Sequence, residues 1–286
     1  MRDEGAGRGW TRREFGRAVA VGAGVVAVGA GAAPGIESPT DSPLAEFCRS
    51  LRPEQREALI LPVDDPRRAM VQNDWAVVPA RIADLTLAQQ DLALALIRRA
   101  CTLEGFDRLT RARLDDSGGW KHDHLAVFGS PAGPIEWLVS GRHLTLRGSA
   151  AGAITGGPLF WGHSATGPGT LGHDQGEAAG AFFRGLAPDQ QVRALADGLP
   201  LGDLPSPSPA ARALVASLAA PFARFEVGSV RAILDGAVGL GSVRWQGFRA
   251  AGEAVDASPR IWRLVGAGWS WSFHGLPHAH SWFDAA

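Results

Sequence analysis

Ile135-Glu-Trp-Leu-Val139, then Ser140-Gly141-Arg142, then His143-Leu-Thr-Leu146 is the stretch whose reading decides the fold. Two short apolar runs with β-branched and aromatic residues, divided by three residues that include a glycine, predict a β-hairpin. Upstream, His124 to Phe128 is another short apolar run, closed by the turn residues Gly129-Ser130-Pro131. Downstream, Ala153 to Trp161 adds a strand through a glycine-rich bend. The middle of the chain is therefore a β block of roughly three or four strands.

A second β block lies at the carboxyl end. Val243 to Ala250 and Ile261 to Val265 are strand candidates, and His280 to Phe283 closes the set. Trp269-Ser-Trp-Ser-Phe273 alternates with a period of two, which puts its aromatic rings on one face. Helical spacing fills the rest. It runs from Leu44 to about Leu61, with Pro53 opening a second helix, and from Leu85 to Cys101, with Gly105 as the stop. Asp64-Asp65-Pro66 starts another helix. Gln175 to Leu186, Asp189 to Leu199, Ala210 to Ala219 and Phe225 to Val238 complete the helices, with Leu204 to Pro209 as a loop. Helices, strands, helices, strands is an α+β order. It predicts a mixed or antiparallel sheet built from the middle and C-terminal strands, flanked by N-terminal and central helices.

The first residues carry a different signal. Thr11-Arg-Arg-Glu-Phe-Gly-Arg17 pairs two arginines ahead of an apolar, glycine-rich stretch from Ala18 to Ala33. Ala30-Gly31-Ala32 offers the small-x-small pattern that a signal peptidase cuts, and Pro34 follows. Residues 1–32 thus read as a twin-arginine signal peptide, 33–43 as a linker and 44–286 as a single α+β domain. The alternative is an uncleaved anchor, although the stretch is short and glycine-diluted for a membrane span. The expected partners are the twin-arginine export machinery and a signal peptidase. The destination is periplasmic or extracellular, and no stable membrane span remains after cleavage.

Charge excludes one class of partner. Lys and Arg total 28 against 29 Asp and Glu, a net charge of −1 over 286 residues. Removing residues 1–32 shifts it to −3, so no field attracts nucleic acid. Tyrosyl chemistry is excluded because Tyr is absent, and a Schiff base has only Lys121 to use. The two cysteines, Cys48 and Cys101, either pair in an oxidising compartment or stay as separate buried thiols. G-x-S-x-G, H-E-x-x-H and phosphate-loop spacings are missing.

All eight histidines fall between residues 122 and 280, in or beside the proposed strands. His278-Ala-His280 is an i, i+2 pair, which on a strand puts both rings on one side, and His122-Asp-His124 has the same spacing. Such pairs suit chelation of Zn, Cu or Fe, or else are surface or hydrogen-bonded imidazoles. If the two β blocks share a sheet, His143 joins His278 and His280 as a third metal ligand. His274 or Glu177 then serves as a fourth ligand or catalytic base. Trp137, Trp161, Trp245, Trp262, Trp269, Trp271 and Trp282 lie after residue 130. They read as core, or as a stacking face of a non-catalytic cell-envelope protein that recognises a glycan or a protein partner.

The order of several segments resembles the bacterial domain of unknown function 3500 family. Ser50-Leu-Arg-Pro-Glu-Gln55, Asp64-Asp-Pro-Arg67, Trp75 to Pro79 and the helix around Gln89-Gln90 are similar to its opening. Val127-Phe-Gly-Ser-Pro131, Gly141-Arg-His-Leu144 and Pro158-Leu-Phe-Trp-Gly162 are similar to its middle, and Pro277-His-Ala-His-Ser-Trp282 to its N-H-I-H-S-V-W run. The resemblance implies an α+β fold and an exported protein, and brings no activity with it. Three departures stand out. Arg142 replaces the first His of the family's G-H-H pattern, Pro277 replaces its Asn, and Ser272 or a neighbour replaces an acid that precedes the run. If the family site uses those groups, this chain binds a different metal or has lost activity.

Overall fold

The computed structural model describes residues 42–130, 132–204, 208–249, 259–275 and 278–285. The expected signal peptide and nearly all of the expected linker lie outside them. Helix α1 (Pro43–Ser50) begins inside the expected linker, because the Ser42 hydroxyl accepts the Ala45 N–H at 3.1 Å and Pro43 occupies the first turn. Helix α2 (Pro53–Leu59) opens on Pro53 as predicted and runs into β1 (Ile60–Leu61). Asp65 caps a single 3₁₀ turn, Pro66–Ala69. Helix α3 (Leu87–Ala100) carries a reciprocal cap between Thr86 and Gln89.

Gly105 does not stop that helix. Cys101 already does, and a helix absent from the sequence reading, α4 (Leu103–Ser117), follows with Gly105 in its first turn. A side chain at Gly105 would collide with the Pro221 carbonyl, so glycine stands there for close approach rather than termination. Strands β2 (His124–Gly129), β3 (Ile135–Gly141), β4 (Leu144–Ser149) and β5 (Leu159–His163) form the middle block. Helices α5 (His173–Arg184) and α6 (Pro188–Ala196) follow, then β6 (Leu199–Pro200), α7 (Pro209–Ala219) and α8 (Gly228–Leu234). Strands β7 (Arg244–Phe248), β8 (Ile261–Gly266), β9 (Trp269–His274) and β10 (Ala279–Ala285) end the chain.

Among the described residues these strands make one ten-stranded mixed sheet, ordered β1-β2-β3-β4-β5-β10-β9-β8-β7-β6. Only β1 and β2 pair in parallel. The α+β expectation holds, and the two β blocks meet where β10 pairs with β5 on one side and β9 on the other.

The faces of the sheet follow from its register. Trp161, Ser281 and Phe273 face one way, and helices pack there. The Trp161 ring meets Phe222 just past α7, the Ser281 hydroxyl donates to Gln175 of α5, and Phe182 and Phe183 of α5 lie against Trp245. Trp269, Trp271 and Phe273 share this face, as their alternation predicts, and all three are buried. Trp137, Trp161, Trp245 and Trp262 are buried as well. Trp137, Trp161, Trp245, Trp262, Trp269 and Trp271 are therefore core and not an exposed stacking face, because helices cover them, while Trp282 lies on the opposite face and is half-buried.

Over β2 to β4 the opposite face is closed by residues 66–82. Arg68 pairs with Glu136 at 2.8 Å, Trp75 Nε1 donates to Thr145 Oγ1 at 2.7 Å, and Val77 N donates to Ser140 Oγ at 2.9 Å. Buried under the hairpin, Arg113 and Asp123 approach to 3.2 Å without the alignment of a hydrogen bond. Burial pushes the Asp123 carboxyl up to about 7 against the Arg113 charge, and pushes the Arg113 guanidinium down.

Cys48 and Cys101 are both buried and both free. The structure thus shows the two separate buried thiols rather than the disulfide, with Cys101 past the end of α3 and bridged to Phe222 in extended conformation. Burial pushes the thiols up to about 11 and about 12. Among the described residues no helix is long and apolar enough to cross a membrane.

Candidate metal centre

The hairpin turn is tighter than its sequence predicts. Gly141 pairs with Leu144, so Arg142 and His143 alone form the loop, and His143 sits in the turn rather than on a strand. Its φ of 55° is in the left-handed region, which costs a residue with a Cβ roughly 1–2 kcal/mol. Three contacts hold it there. The His143 N–H donates to the Asn73 carbonyl at 2.6 Å, its own carbonyl accepts the Gly162 N–H at 2.9 Å, and Nδ1 lies 2.7 Å from Asp116 Oδ2. These contacts over-determine the strained conformation and so fix where the side chain aims.

That aim is toward the carboxyl end of the chain. The His143 ring centroid lies 5.0 Å from His280 and 5.3 Å from His278, and the latter two are 4.4 Å apart. Each of the three offers a ring nitrogen, and those nitrogens all fall within 4.8 Å of one another, a grouping that could hold a metal ion. His280 stands on β10, opposite Gly162 of β5, and His278 immediately precedes the strand. Gly162 makes the approach sterically open: a Cβ there would meet His280 Cδ2 at 2.9 Å and His143 Cβ at 3.3 Å. The union of the two β blocks thus brings His143, His278 and His280 together.

The electrostatics suit ligation. Burial, reinforced by the neighbouring imidazoles, holds His280 down at about 3, and burial with His278 holds His274 at about 4. His278 is lowered too, by burial and then by His143. Lowered in this way, His274, His278 and His280 are held in the neutral form, the form that binds a metal. His280 Nε2 is buried and has no hydrogen-bond partner, an orphan whose donor pair would be satisfied by an ion.

The other predicted site residues fare differently. His274 faces His280 across the β9–β10 ladder, with ring centroids 6.1 Å apart, and stands beside the three rather than among them. Glu177 is not brought to the site. It is exposed on α5, two residues past Gln175, so it turns away from the sheet face that Gln175 touches, and that face is opposite the histidines. His122 is exposed and His124 Nδ1 lies 3.0 Å from the Ala80 carbonyl, so that pair is not a chelate.

Asp116 escaped the sequence reading. Its side chain is fully buried, with Oδ2 on His143 and Oδ1 accepting the Ser164 N–H at 3.1 Å. Burial alone would raise its carboxyl; the hydrogen bonds from His143 and Ser164 outweigh that and hold it below the usual carboxylate range. Its neighbour Asp115 grips His163 Nε2 at 2.7 Å. A signal was available: two acids in the last turn of a helix oppose the helix dipole and call for partners elsewhere.

A family model described as "Protein of unknown function (DUF3500)" matches residues 40–200, a span that contains His143 and ends before His278 and His280. No curated protein and no solved structure matches the chain.

Proposed function

Because the chain belongs to the family of proteins of unknown function DUF3500, we propose its function from the site itself: a metal-dependent enzyme centred on His143, His278 and His280. The observation that carries this reading is the convergence of three ring nitrogens within 4.8 Å, drawn from two stretches far apart in the chain. Three protein ligands leave a coordination position for water or substrate, as catalytic rather than structural zinc centres do. Imidazoles of this kind suit Zn, Cu or Fe. A bound ion would supply a hydroxide nucleophile or a polarised substrate oxygen at neutral pH, or, as Cu or Fe, an electron. In this reading His274, whose ring centroid lies 6.1 Å from that of His280, serves as a fourth ligand or as the base, and as a base it is weakened by the burial that holds it at about 4.

The test is metal analysis of the purified protein. Wild type is expected to carry roughly one ion per chain of Zn, Cu or Fe, and His280→Ala to lose it while keeping its fold. Sub-stoichiometric amounts of all three metals in wild type would end the reading.

The proposal includes export by the twin-arginine route, supported by Arg12-Arg13 and the apolar stretch behind them. Replacing both arginines with lysine is expected to leave the protein in the cytoplasm. Unimpaired export of that variant would refute it.

A further inference from the structure

We propose that Asp116 is the positioning residue of this centre: it keeps the His143 proton on Nδ1 and so presents an unprotonated Nε2 to the ion. The inference rests on the three-histidine reading and adds which atom of His143 binds and what decides it. A carboxylate can only accept, so the 2.7 Å contact between Asp116 Oδ2 and His143 Nδ1 requires the proton to sit on Nδ1. A metal ligand must be a bare nitrogen, and the partner of the other nitrogen fixes which one that is. The contact is sealed from competing water, with side-chain exposures of 5% for His143 and 0% for Asp116.

Ser164 makes the arrangement one-way. Its N–H points at Asp116 Oδ1 at 3.1 Å and demands an acceptor there. In Asp116→Asn the amide oxygen is expected to take the Ser164 side, where a donor already points, which turns the amide NH₂ toward His143 Nδ1. That nitrogen then has to accept, and the imidazole proton moves to Nε2, onto the ligand atom itself. A near-isosteric change thus blocks the site chemically while leaving its shape intact. A role confined to tying the turn in place would not move that proton.

The experiment reads the ring protons and the metal separately. Nitrogen-15 spectra of metal-free wild type are expected to show His143 as the Nδ1–H tautomer, and Asp116→Asn as Nε2–H. Titration with Zn²⁺ is expected to show about a 10–100-fold loss of affinity in Asp116→Asn. Wild type in the Nε2–H form, or an unchanged Zn²⁺ affinity alongside an inverted tautomer, would overturn the proposal. If Asp116→Asn does not fold, the wild-type spectrum decides alone. If the tautomers behave as expected but wild type binds no Zn, Cu or Fe, the three-histidine centre falls and the proton assignment stands.

Discussion

In β2 to β5 nearly every residue is buried whichever way its side chain points, whereas β8, β9 and β10 alternate buried with half-exposed positions. Leu138 of β3 and Val265 of β8 lie on the same face of the sheet, yet Leu138 is fully buried and Val265 is 42% exposed. The cause is the segment 66–82, which is pinned over the first half by Arg68, Trp75 and Val77. The second half takes its burial from the helical face. Strands closed on both faces read as near-continuous apolar runs, and strands closed on one read as alternation. His143 anchors to the covering segment through the Asn73 carbonyl, while His278 and His280 come from the half-exposed side. The candidate centre sits on the border between two kinds of sheet.

The sharpest way to test the comparison is to break the charge buried in the first half. Asp123→Ala removes the carboxylate paired with the buried Arg113, and urea denaturation at about pH 8 is expected to show a loss of about 3–5 kcal/mol. No exposed charge of the second half should approach that. Next comes Leu138→Ala, expected to cost about 2–5 kcal/mol because a closed site cannot refill. A loss no larger than that of Val265→Ala would dissolve the distinction.

The halves should also answer pH in opposite senses. Folded Asp123 holds its proton up to about 7, against an ordinary 3.8, so the folded state binds more protons across that window. Its contribution to stability therefore falls as pH rises from about 4 to 7, by at most about 1.4 kcal/mol per unit. His280 and His274 are held at about 3 and about 4, below the ordinary 6.5, so the unfolded chain takes up protons first as pH falls. Their contribution is complete above pH 6.5 and is lost on acidification toward pH 3. In metal-free protein, stability measured against pH should fall less steeply on the acid side in His280→Asn, where His274 still contributes, and less steeply between about pH 4 and 7 in Asp123→Asn. Identical profiles for the two variants would defeat the assignment. The smallest effect is Val265→Ala, expected within about 0.5 kcal/mol of wild type by the same denaturation.

Much of this was legible in the residues. Trp269-Ser-Trp-Ser-Phe273 declared both its strand and its buried face, because a period of two is a local property. The hairpin from Ile135 to Leu146 was equally plain, and the pairing of middle and terminal blocks followed from element order. Helix α4 was hidden by its polarity: its inward side includes Arg113, a charge whose partner Asp123 lies beyond the helix end. His143 was misplaced onto a strand because nothing local announces a left-handed histidine. Its conformation is imposed by Asn73, Gly162 and Asp116, which are distant in sequence. Three histidines were legible as a group, but the acid behind one of them was not.

The position of β10 has a consequence for how the molecule comes into being. It follows every other strand in the chain, yet it lies at the seam between β5 and β9. Until it arrives on translation, both neighbours present raw edges with unpaired backbone groups, a state open to wrong partners. The same arrival delivers His280 to His143. Closing the seam and bringing His280 to His143 are thus one event, and an ion bound there would act as a clasp that reports a finished fold.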